Sequence, residues 1–151
     1  MTTLTPVDAR LLVAVADTIH RCGHAIYADD DPQMIEPTTT YTVGFHVKEC
    51  SGGRELALTG MPPRTAARVL NDVTDRLRSV PGAWLQPDMI LVDVQGYTAK
   101  LRPVDDPSFL VLAHALYEGT VTALQVLIAD PNGRFPDDPA YANGINAQRL
   151  L

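Results

Sequence analysis

Leu11, Leu12, Val15 and Ile19 recur at helical spacing near the start of the chain, with polar positions between them. Thr5 is placed to cap this helix, Pro6 to be its first residue and Asp8 to sit in its first turn, while Gly23 suits a left-handed stop. The pattern predicts a helix over 6–21. Residues 24–28 are short, apolar and aromatic and read as a strand. Asp29-Asp30-Asp31-Pro32 is a loop. Residues 38–47 are dense in Thr, Tyr, Val and Phe, which favour a pleated surface. A loop around Gly52-Gly53 leads to a mostly apolar third strand over 55–59.

Met61-Pro62-Pro63 opens the second helix. Ala66, Val69, Leu70, Val73 and Leu77 form its apolar face, and Arg64, Arg68, Asp72, Asp75 and Arg76 fall largely opposite. Pro81-Gly82 ends it. Residues 89–94 and 97–101 predict two strands about a Gln95-Gly96 turn, and Pro107-Ser108 starts a third helix that continues over 109–118 to Gly119. Residues 120–129 form a last strand before the turn Asp130-Pro131-Asn132-Gly133. Strands and helices do not alternate evenly, which argues against a doubly wound parallel fold. The expectation is one α+β domain: a mainly antiparallel sheet of five to six strands with two to three helices packed on one face of it.

Composition narrows the function class. The 151 residues are 46% hydrophobic and 20% charged, which suits one globular domain with its own core. Twelve Lys and Arg against 18 Asp and Glu give a net charge of −6, which argues against a nucleic-acid partner. Much of that acidity falls at Asp29–Asp31, Asp105-Asp106 and Asp137-Asp138, in predicted loops at the rim. The two cysteines, Cys22 and Cys50, are too few for a disulfide scaffold and read as free thiols in a reducing cytoplasm. The first eight residues lack a basic leader, and the longest early apolar run, over 11–16, is too short to cross a bilayer. The chain therefore reads as cytoplasmic, with no membrane contact.

A set of motifs follows in a recognisable order. Tyr41-Thr42-Val43-Gly44-Phe45 precedes Glu55-Leu56-Ala57-Leu58-Thr59-Gly60, and Ala67-Arg68-Val69-Leu70-Asn71 lies in the second helix. Ala123-Leu124-Gln125-Val126 comes next, then Asp130-Pro131-Asn132-Gly133-Arg134-Phe135-Pro136, and finally Gln148-Arg149-Leu150-Leu151. In this order and spacing the chain resembles domain of unknown function 4262, a family of small bacterial and phage proteins. The resemblance runs over 22–151, with the N-terminal helix before it, and implies a single domain over 1–151 but no established activity. Arg54, Asp137 and Arg149 stand where the family has Pro, Trp and Pro. If that Trp lines a site, the site is altered in this chain. The resemblance also marks Gly44, Gly133, Pro136, Gln148, Leu150 and Leu151 as structural positions.

Several residues carry candidate chemistry. His20, Cys22, His24, His46 and Cys50 are zinc-ligand types, but their spacing lacks a Cys-x-x-Cys anchor, so they read as surface histidines and a semi-buried thiol. Arg134 offers a fork of donors suited to an anion, beside Asp130 and the flexible Gly133. The plainer reading is a turn in which Asp130 caps amides and Arg134 pairs with Asp137 or Asp138. Gln125, in an apolar run, needs partners for its amide, from Tyr41-Thr42 or the C-terminal segment. Leu150 and Leu151 are expected to dock on the core, with Gln148 bonded to backbone. No Gly-x-Ser-x-Gly, phosphate loop or calcium loop occurs, so no metal or cofactor is implied. Two readings follow. One is a non-enzymatic binding or interaction module with a regulatory role and a bacterial or host protein partner. The other is a small enzyme or anionic-ligand domain with Tyr41, His46, Gln125, Asp130 and Arg134 at its site. A homodimer fits either reading, though nothing in the sequence demands one.

Overall fold

Asp8 and Gly23 define the first helix, α1 (Ala9–Cys22). The Asp8 carboxylate accepts the Arg10 amide at 2.8 Å, and Gly23, at φ 90°, donates its N–H to the Ile19 carbonyl. Asp8 is thus the cap rather than a first-turn residue, and the helix starts later than Pro6 predicts. An Asp satisfies an orphan amide directly, whereas Pro only tolerates the missing one. The computed structural model describes residues 8–29, 39–80, 82–141 and 148–151. Thr5, Pro6, the loop residues Asp30 to Pro32, and Pro81 lie outside the described residues.

The order of elements follows the sequence reading. After α1 come β1 (Ala25–Asp29), β2 (Thr39–Val43), β3 (Arg54–Thr59), α2 (Pro63–Ser79), β4 (Ile90–Val94), β5 (Tyr97–Pro103), α3 (Val111–Leu116) and β6 (Thr122–Ile128). β2 and the third helix are markedly shorter than expected, and the last strand is trimmed to Thr122–Ile128. β2 stops at Val43 because Gly44 turns to φ 87°, and 3-10 turns at Phe45–Val47 and Glu49–Ser51 follow. The third helix is split: a 3-10 turn, Pro107–Phe109, is capped by Asp106, and α3 begins only after Leu110 and ends before Tyr117.

The strands form one six-stranded sheet in the order β1-β2-β3-β6-β5-β4. Every pairing is antiparallel except β3 with β6, which run parallel from Arg54↔Thr122 to Ala57↔Gln125. The fold is therefore α+β with a mainly antiparallel sheet. The helices do not share one face, however. Leu56 and Leu58 of β3 join Ala66, Val69, Leu70 and Val73 of α2 in one core cluster. Ala57, between them, belongs to a second cluster with Val15 of α1 and Ala113 of α3. Successive strand residues point to opposite faces, so β3 is covered on both sides. All five residues of β2 are buried as well, and strands of that kind require cover on both faces. The unbroken Leu56-Ala57-Leu58 run was the available signal. Among the described residues no helix is long and apolar enough to cross a membrane.

Candidate functional site

The early end of β3 holds a fully buried carboxylate. Glu55 accepts the Thr42 hydroxyl at 2.8 Å, the Gly44 amide at 2.8 Å, the Phe45 amide at 3.0 Å and His46 Nδ1–H at 2.6 Å. The left-handed turn at Gly44 aims its own amide and that of Phe45 at one point, and Glu55 fills it. A buried carboxylate needs such donors to offset its lost hydration. His46 packs against the Tyr117 ring, with centroids 4.5 Å apart. Burial pushes the Tyr117 phenol above its usual range, with the Glu55 charge adding to the effect. Sequence reasoning singled out His46 but missed Glu55 and Tyr117. A lone Glu opening the apolar run Glu55-Leu56-Ala57-Leu58 was the clue.

The other sequence candidates lie elsewhere. Tyr41 is a core residue whose hydroxyl accepts the Leu112 amide at 3.3 Å and whose ring meets Tyr27 and Phe109 edge-on. Asp130 organises a turn: its Oδ1 accepts the amides of Asn132 and Arg134, each at 2.9 Å. Gly133 takes φ 79° there, and the turn leads into Phe135 and Pro136. Arg134 donates to the Ala140 carbonyl at 3.4 Å, while Asp137 pairs with Lys100 at 3.0 Å. Arg134 therefore bonds to backbone; of the two acids expected to pair with it, Asp137 is engaged by Lys100 and Asp138 accepts the Ala140 amide at 2.9 Å. Glu55 is in register with Ala123. Asp130 lies past the far end of β6, roughly 20 Å further along at the strand rise. His46 and Arg134 thus occupy opposite ends of the sheet and share no site.

Gln125 and Gln148 form a bracket for the C-terminal segment. Gln125 Nε2 donates to Thr59 Oγ1 at 3.1 Å and to the Arg149 carbonyl at 2.7 Å, and its Oε1 accepts the Leu151 amide at 2.9 Å. These partners come from the C-terminal segment and β3, not from Tyr41-Thr42. Gln148 is bonded to backbone three times, and Leu151 packs on the second core cluster. Leu150 departs from expectation: it is 40% exposed, because the extended segment turns alternate side chains outward.

A groove opens where the ends of α1 and α2 meet the second 3-10 turn. Its volume is about 480 Å³, and Cys22, Lys48, Cys50, Leu77, Arg78 and Trp84 are among its lining. Arg78 is seated firmly. It donates through Nη1 to the Cys22 carbonyl at 3.3 Å and through Nη2 to His24 Nδ1 at 2.7 Å, and lies 5.7 Å from the Phe45 ring centroid. His24 must then carry its proton on Nε2, which donates to Asn71 Oδ1 at 2.9 Å. Burial lowers the His24 pKa, the Asn71 bond works against that shift, and the Arg78 charge adds to it. The neutral ring therefore suits its place. With Nδ1 facing Arg78, His24 has no lone pair to offer a metal. Among the described residues Arg78 and Lys48 have no carboxylate within ion-pair distance. Trp84 is 50% exposed and Val80 56%. Sequence reasoning did not reach this groove, since its parts come from four separate stretches of chain.

The sequence model described as domain of unknown function (DUF4262) matches residues 18–142, and the chain belongs to that family. No curated protein and no solved structure matches it.

Proposed function

We propose that this member of the DUF4262 family is a non-enzymatic binding module with a regulatory role, and that the groove beside Arg78 and Trp84 is its binding site. The observation that carries the reading is the groove itself. Its volume falls in the range of small-ligand sites, and it combines apolar walls with a few fixed polar groups. The residues suggested for catalysis support it indirectly. His46 is bonded to the buried Glu55, Asp130 caps turn amides, Arg134 bonds to backbone and Tyr41 belongs to the core. A cytoplasmic, bacterial or phage setting belongs to the same proposal.

The test is an amide-resolved NMR titration with a small-molecule fragment set spanning neutral, cationic and anionic compounds. Hits are expected to shift Gly23, Lys48, Arg78 and the Trp84 indole together. Hits that gather instead around His46 and Tyr117, or compounds that are chemically converted, would overturn the reading.

A further inference from the structure

Resting on the groove as the binding site, we infer that its occupant is a small aromatic carboxylate, held by Arg78 and Lys48 and stacked beside Trp84. A guanidinium has five N–H donors in a fixed plane. The Cys22 carbonyl and His24 take one each from Nη1 and Nη2, which leaves three. The group cannot swing away easily. Phe45 lies against its face, and a Cβ built on Gly23 would come within 3.1 Å of Nη2, so the glycine backbone packs closely behind it. Its free edge is therefore oriented before any ligand arrives, and a planar fork matches a planar carboxylate.

Charge points the same way. The chain carries −6 overall, yet Lys48 and Arg78 outnumber Glu49 among the charged residues lining this groove. Neither cation is neutralised by a described carboxylate. Two cations without a described ion-pair partner attract an anion. Much of the remaining lining is apolar. Leu77, Val80 and Ala83 join a half-exposed indole, which offers a face to a ring. A bare inorganic anion would leave that wall unused, and a neutral aromatic would leave the guanidinium edge unpaired.

The experiment uses the full chain with benzoate, benzamide and acetate as probes, read by amide shifts and Trp84 fluorescence. Benzoate is expected to shift the groove residues and to bind about tenfold more tightly than benzamide, its neutral isostere, or than acetate. Lys48→Gln should weaken benzoate severalfold, and Trp84→Ala should remove its advantage over acetate. Lys48 is exposed, so its variant tests charge without relying on a buried contact. Equal binding of benzoate and benzamide in the groove would overturn the ligand class and leave the groove as the site. Benzoate shifts that map elsewhere, while neutral fragments fill the groove, would do the same. If no fragment of any charge perturbs the groove, the binding-site reading itself fails.

Discussion

Gln148 continues a strand pairing that the backbone gives up. The parallel β3–β6 register runs only to Ala57↔Gln125, and beyond it the strands still have polar groups facing each other. The Gln148 side chain fills that space. Its Oε1 accepts the Ile128 amide at 2.6 Å, and its Nε2 donates to the carbonyls of Thr59 at 3.0 Å and Val126 at 2.9 Å. Gln148→Ala removes all three bonds. Each is worth about 1 kcal/mol net, and an amide left buried and unpaired costs more than a carbonyl that water can reach. Gln148 is 7% exposed, so water can enter part of the space, and the expected loss is about 2–3 kcal/mol. For a domain of this size that corresponds to a fall in Tm of roughly 5–10 °C. Calorimetry with a matched urea titration measures both quantities. Leu150→Ala, at a half-exposed apolar neighbour, is the control and should stay within about 1 °C. A Gln148→Ala protein that also melts within about 1 °C of the parent would refute the bracket.

Three further outcomes follow from Glu55, the turn at Gly44 and His24. Glu55→Gln leaves two of the four converging donors facing an NH2 group, since each carboxylate oxygen accepts two of them, so urea unfolding should show a loss of about 3–5 kcal/mol; a loss below about 1 kcal/mol would contradict the arrangement. Gly44→Ala places a Cβ 2.9 Å from both Ile19 Cγ2 and the Tyr117 hydroxyl, at φ 87°. The left-handed backbone alone costs about 1–2 kcal/mol, so a change under 0.5 kcal/mol, on the order of assay error, would argue that the turn relaxes freely. His24 gives a pH dependence. Its folded pKa is lowered from 6.5, chiefly by burial, so the unfolded chain binds the proton more readily. The stability contribution is full above 6.5 and falls as pH drops through that value toward the folded pKa. Tm measured between pH 7.5 and 5 should fall more steeply for the parent than for His24→Gln; parallel profiles would show that His24 is not responsible.

The order of helices and strands was legible because it depends on local pattern. Ala66, Val69, Leu70, Val73 and Leu77 follow one helical face, and all five are buried. The Gln95-Gly96 turn sits between β4 and β5 as their spacing implies. What sequence did not disclose was set by contacts distant along the chain. The two-sided cover of β3 depends on where α1 and α3 return, and the split of α3 on a local cap by Asp106. The functional residues were harder still. His46 and Arg134 look like chemistry by type, yet a parallel strand pair separates them by most of the sheet's length. Arg78 looked like one more polar residue at the end of a helix. Its seat depends on His24, Cys22 and Phe45, all more than thirty residues away.

These placements divide the polar residues by role, and the division can be tested in a single set of variants. Glu55 stands at one end of the β3–β6 seam, and Gln125, Thr59 and Gln148 at the other. Each closes backbone groups where an antiparallel sheet admits one parallel pair, so each should govern stability. Lys48 and Trp84 hold no backbone in place through their side chains among the described bonds, and they should govern binding. Lys48→Gln is therefore expected to melt within about 2 °C of the parent while losing benzoate affinity severalfold, because exposed substitutions usually cost under about 0.5 kcal/mol. Gln148→Ala should show the converse: a clear fall in Tm, with benzoate affinity unchanged at temperatures where the protein stays folded. A Gln148→Ala protein that is fully folded yet binds benzoate tenfold more weakly would mean that the seam and the groove are coupled, and the separation of roles would not stand.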